Sequence, residues 1–207
     1  MKNAIKWLKM EISRMSIDLP DETAKSMLTQ KIDNFLREKI TVAGKAIVTA
    51  GVDKIVDGDV ILTYAKSSIV QSVLAEAYRR GTKFRVIIID SRPLFEGRDM
   101  CKALVEIGID CSYAMTNSLA HVIRTTTKVF LGAHAMLGNG RLASRVGSAL
   151  VAMLAKEFEL PVIVCCESVK FTDKVGLDSI VTNELGMFFV PWGSERGFGT
   201  EVLGWWG

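Results

Sequence analysis

The chain has 207 residues, 49% of them hydrophobic, and a net charge of +3. That is enough apolar material for a sizeable core, which excludes general disorder. The charge is too weak and too scattered along the chain to argue for direct nucleic-acid binding.

The N-terminal residues interleave apolar positions with Lys2, Lys6, Lys9 and Glu11, which is no signal-peptide pattern. No apolar stretch reaches membrane-spanning length. Of the four cysteines, Cys101, Cys111, Cys165 and Cys166, none has C-x-x-C spacing. Free thiols and no metal site are expected, because only two histidines are available. These observations imply a cytosolic protein.

In chain order, residues 3–15 place Ile5, Leu8 and Ile12 on one helical face. Asp18-Leu19-Pro20-Asp21-Glu22 signals a helix start, since Pro suits a first turn and acids suit its positive end. Met27, Leu28, Ile32, Phe35, Leu36, Ile40, Ala43 and Ile47 then give a long amphipathic helix or two abutting ones, expected to loosen near Gly44. Such an arm must dock on the remainder of the chain or on a partner.

After the turn Asp57-Gly58-Asp59 the character changes. Strands are expected at Val60–Leu62, Phe84–Ile89, Cys111–Met115, Lys128–Leu131 and Pro161–Cys165. Between them fall a helix to about Arg80, capped by the polar residues 63–68 and stopped by Gly81, and a helix over 98–107, stopped by Gly108. A short helix follows at Asn117–Ile123. A Gly-rich loop turning at Gly138-Asn139-Gly140 leads into a helix opened by Gly147-Ser148, with Leu150, Val151, Leu154 and Ala155 on its inner face. Continuous apolar strands alternating with helices mean a parallel sheet covered on both sides. The fold class is α/β: an N-terminal helical region (1–55), a Rossmann-like parallel-sheet domain (56–186), and an atypical Gly- and Trp-rich tail (187–207) with one candidate strand, Met187–Val190.

Polar and charged residues gather where strands should end: Lys66, Ser67, Asp90, Arg92, His134, Asn139 and Arg145. In an open parallel sheet these ends converge on one crevice, where backbone N–H groups favour anions. Lys66, Ser67, Arg92, His134, Asn139 and Arg145 are therefore a candidate anion or sugar-phosphate pocket. The alternative is a tight strand–helix connection with no ligand. Arg92 is suited to hold a phosphate as a planar fork, or to pair with Asp90 or Glu96. His134 is either a base or ligand, or the more usual hydrogen-bonded structural residue. There is no G-x-S-x-G elbow, no G-x-x-x-x-G-K-[ST] loop and no G-x-G-x-x-G fingerprint, so no cofactor is expected.

Several stretches together resemble one family. They are Asp57–Thr63, Asp90–Gly97, Gly132–Met136, Asn139-Gly140 with Arg145–Ser148, and Pro161–Glu167. They are similar to the regulatory subunits of eukaryotic translation initiation factor 2B. Gly132-Ala133-His134 and Cys165-Cys166-Glu167 with Lys170-Phe171 resemble its delta branch most. The similarity spans roughly residues 1–186.

That family shares its fold with methylthioribose-1-phosphate and ribose-1,5-bisphosphate isomerases. At matching positions those enzymes carry a catalytic cysteine after the first strand and an aspartate in a Gly-Ala-Asp motif. Here the positions read Ala65 and His134. Alanine has no thiol to move a proton, and histidine does not reproduce a carboxylate's charge. The resemblance implies no isomerase activity and no catalytic residues.

It implies instead a regulatory subunit of a guanine-nucleotide exchange factor. Its expected partners are a beta-type subunit, the other subunits of initiation factor 2B, and the alpha subunit of initiation factor 2, whose phosphorylation it would sense under stress. Two departures are expected to weaken assembly. The long polar N-terminal region usual in the delta branch is absent, and 186–207 does not match the strand and helix that usually complete the sheet.

Overall fold

The computed structural model describes residues 2–16 and 19–176. The candidate strand Met187–Val190 and the tail 187–207 lie outside the described residues. Helices α1 (Lys2–Ser13), α2 (Asp21–Phe35) and α3 (Ala43–Val52) form the N-terminal arm. The α/β part follows as β1 (Val60–Tyr64), α4 (Ser68–Arg79), β2 (Arg85–Asp90), α5 (Glu96–Ile107), β3 (Asp110–Met115), the one-turn α6 (Leu119–Val122) and β4 (Lys128–Gly132). A short hairpin of β5 (Ala135–Met136) and β6 (Leu142–Ala143), then α7 (Ser148–Glu157) and β7 (Val162–Cys165), complete it.

The sheet is parallel, in the order β3-β2-β1-β4-β7. β1 is its middle strand, and all five of its residues are buried. Leu62 is in register with Ile87 on one side and Val129 on the other. Successive side chains in a strand point to opposite faces, so one sequence feeds two cores. Ile61, Val86, Ile88 and Phe130 pack under α3, α4 and α5. Leu62, Ile87, Ile89, Val129 and Leu131 pack under α6 and α7. Beyond β3 the chain crosses to the far side of β1, so the direction of winding reverses between β1 and β4.

The arm is widened just before Gly44, close to where loosening is expected. Helix α2 runs without interruption through a π-helical stretch, Leu36–Val42, into α3. Gly44 itself sits in the first turn of α3, where an added Cβ would meet Ile69 of α4 at an ordinary 3.9 Å. It does not break the helix. Trp7 stacks on Phe35 with ring centroids 4.3 Å apart, fastening α1 to α2. Val52 of α3 is buried, and Ile47 and Val48 pack against the first core. Ile5, Ile12, Leu36 and Ile40 stay exposed. Two expectations shift. Ser67 precedes α4 but makes no side-chain cap bond. Leu150 is 44% exposed, because Val151 and Ala155 take the inner face of α7.

At the other end of the sheet, Asp59 is buried and ties β1 to β4. Its carboxylate accepts from Lys128 Nζ at 2.7 Å, Thr127 Oγ1 at 2.8 Å and the Val56 N–H at 2.8 Å. Burial pushes the carboxyl up, but Lys128 and the two other donors outweigh it and hold it below the usual carboxylate range. A lowered folded value means this stability is complete above the unfolded value of about 3.9 and drains away as pH falls through the folded one. Asp59→Ala is expected to cost about 2–3 kcal/mol at neutral pH, since it leaves a partly buried ammonium unpaired. Asp59→Asn should flatten the acid limb of a plot of urea midpoint against pH. An unchanged acid limb would exclude Asp59 as its source.

Candidate functional site

Three strand ends and the turn before α7 enclose a cleft of about 670 Å³. β1 contributes Tyr64, the β2–α5 connection Ser91, Arg92, Pro93 and Leu94, and the end of β3 Thr116. Residues Arg145 to Gly147, with Ala149, Leu150 and Met153 of α7, form the far wall.

The polar floor is already committed. Tyr64 has one hydroxyl proton and two neighbours, the Val146 carbonyl and Ser91 Oγ at 2.9 Å. A carbonyl only accepts, so Tyr64 donates to Val146, and the Ser91 hydroxyl completes the pair. Thr116 Oγ1 donates to the Asp90 carbonyl at 2.8 Å. Beneath them the fully buried Asp90 carboxylate accepts from Tyr113 at 2.9 Å and from the Ser91 N–H at 2.9 Å. Burial first, and the bond to Asp90 second, push the Tyr113 hydroxyl above its ordinary value.

Two guanidinium groups stand at the rim. Arg145 pairs with Glu96, the first residue of α5. Arg92 lies over the Phe95 ring at 5.9 Å, with Arg98 on the same ring at 5.0 Å. Phe95 and Ala65 both hold positive φ, 50° and 54°, and each directly follows a lining residue, Leu94 and Tyr64. Non-glycine residues adopt this conformation at a cost, and such strain collects at functional sites.

Of the residues read from the sequence, Arg92 and Arg145 line the cleft. Lys66 is exposed and does not line it. Ser67 packs against Gly132, so closely that a Cβ there would lie 2.4 Å from its Oγ. His134 is exposed at the base of the hairpin, its N–H bonded to the Ala143 carbonyl. Asn139 is at the hairpin tip, donating to the Gly176 carbonyl at 2.8 Å. Tyr64, Ser91, Thr116, Leu150 and Met153 were not anticipated. A tyrosine closing the buried strand, next to Thr63, is the available signal for Tyr64.

Chemically the cleft combines apolar side chains of α7 with two guanidinium groups, that of Arg145 already paired with Glu96. Among the described residues lining it there is no thiol, carboxylate or imidazole. Cys111 and Cys165 lie elsewhere, their thiols pushed up by burial to about 12 and about 11. Among the described residues no cluster of three or more His, Cys, Asp or Glu could hold a metal, and no helix is long and apolar enough to cross a membrane.

The chain is 53% identical over 185 residues to translation initiation factor eIF2B subunit delta of Schizosaccharomyces pombe, covering 89% of this chain and 40% of that protein. It is 33% identical over 161 residues to ribose 1,5-bisphosphate isomerase of Pyrococcus furiosus, covering 76% of this chain and 50% of the enzyme. Among solved structures, a chain of the tetrameric eIF2B-beta2-delta2 complex from C. thermophilum superimposes with a TM-score of 0.83 at 34% identity, covering 88% of this chain and 59% of that one. The chain thus spans less than half of the delta relative's length. Residues 1–187 match the family model described as the initiation factor 2 subunit family. With that match over most of its length, and with the arm and parallel sheet described above, the chain belongs to the initiation factor 2 subunit family.

Proposed function

We propose that this chain acts as a non-catalytic regulatory subunit of the guanine-nucleotide exchange factor for translation initiation factor 2. In this reading it pairs with a beta-type subunit in the cytosol, responds to phosphorylated initiation factor 2 alpha, and slows initiation under stress. The observation that carries it is the 53% identity to a delta subunit. The crevice supports it. Ala65 keeps a left-handed backbone turn at the end of β1 but offers only a methyl group where the related isomerases carry a thiol. His134 stands in place of their aspartate and is exposed on the hairpin.

The expected result is that the chain, co-expressed with a beta-type subunit, elutes with it from a sizing column and does not turn over ribose 1,5-bisphosphate or methylthioribose 1-phosphate. Failure to co-elute would remove the pairing. Turnover abolished by His134→Ala would make the chain an isomerase. A sugar-phosphate or nucleotide sensor without chemistry is the second reading, favoured by Arg92 and Arg145 at the rim of the cleft. Binding lost in Arg92→Ala would support that role.

A further inference from the structure

The β5–β6 hairpin has two residues in each strand, too few to hold its own pairing in water. A distant segment supports it. Met136 bridges Phe171 in parallel, and the Thr172 N–H donates to the Met136 carbonyl at 2.9 Å. The Gly138 N–H donates to the Lys174 carbonyl at 2.8 Å. Residues 171–176 therefore run as a strap along the hairpin.

Helix α1 holds the strap in turn. Asn3 Nδ2 donates to the Val169 carbonyl at 2.8 Å and to the Phe171 carbonyl. Lys6 lies 3.5 Å from Asp173, but both are exposed and such a pair contributes little. The amide of Asn3 is the stronger link, because it satisfies two main-chain acceptors on a segment more than 160 residues away. On its other side the hairpin leads through Ser144, whose hydroxyl donates to the Gly132 carbonyl at 3.1 Å, into Arg145 and Val146 of the cleft wall.

We propose that α1 is a clasp that controls the order of the cleft wall through the strap and the hairpin. The bistable element is the strap, paired with the hairpin or released from it. Contacts that lift α1 release the strap and loosen the wall. Contacts that order the wall hold α1 in place by the same free energy, because such coupling is reciprocal.

Amide hydrogen exchange on the whole chain tests this, comparing wild type with Asn3→Asp, which keeps the side-chain size and removes both donors. Thr172 and Gly138 amides are expected to exchange roughly tenfold faster, the equivalent of one net hydrogen bond, with His134 and Leu137 following. Amides of Leu62, Ile88 and Val129 should not change, which also verifies that the variant is folded. Unchanged exchange at Thr172 and Gly138 would overturn the clasp. Faster exchange that stops at Thr172, leaving His134 and Leu137 as before, would overturn its link to the cleft. Equal acceleration in the sheet would overturn its local character.

Discussion

Gly147→Ala is expected to destabilise the fold by roughly 2–4 kcal/mol, far more than the same substitution at Gly140. Both glycines hold positive φ, 100° and 79°. An alanine in the left-handed region costs about 1 kcal/mol wherever it stands. At Gly140 nothing lies within 4 Å of an added Cβ, so that cost is the whole effect. At Gly147 the Cβ would lie 2.2 Å from the Tyr64 hydroxyl oxygen and 2.6 Å from its Cζ. Tyr64 cannot yield cheaply. It is buried in the middle strand of the sheet, and its hydroxyl is engaged by Val146 and Ser91. The alternative is for α7 to lift, which exposes Val151 and Ala155. Urea titrations of the two variants separate the terms, provided the slopes agree. Equal losses at both positions would show that the Tyr64 contact is not limiting.

The parts of the fold legible in the sequence are those with a period or a run. Residues 60–62, 86–89 and 129–131 are apolar runs because the strands there are covered on both faces, and burial leaves no room for alternation with polar residues. The helix after β1 was legible from Val70, Val73, Leu74 and Ala77, all buried against the sheet. The π-helical stretch left no trace, since Leu36 and Ile40 are four apart and read as ordinary helix. The β5–β6 hairpin is too short to show alternation. Asn3 carries no local mark of a role that depends on carbonyls at Val169 and Phe171. The cleft divides along the same line. Arg92 and Arg145 border it because each lies close to an element that frames it. His134 and Asn139 travel with the hairpin, whose course depends on the strap.

Asp90→Ala is expected to cost about 3 kcal/mol, for a reason that also concerns the floor of the cleft. The carboxylate is completely buried and has two donors, Tyr113 Oη and the Ser91 N–H, each at 2.9 Å. Alanine strands both and opens a void beside Gly97. That glycine leaves just enough room for the acid, since a Cβ on it would approach the Asp90 Cγ to 2.8 Å. Asp90→Asn should cost less, about 1–2 kcal/mol, because the amide keeps one acceptor for Ser91 and only the Tyr113 bond must reorganise. Tyr113→Phe in the Asp90→Ala background should add less than it costs alone, as the stranded donor is removed with its hydroxyl. The same bond sets an alkaline limit. Tyr113 is held above its ordinary value, chiefly by burial, so the stability it contributes is complete below about pH 10 and is lost as pH rises through the folded value. In Asp90→Ala that alkaline loss should shrink. Strictly additive single and double variants, with the same alkaline loss in each, would show that Tyr113 and Asp90 do not act as a pair and that the floor of the cleft is held by Thr116 and Tyr64 instead.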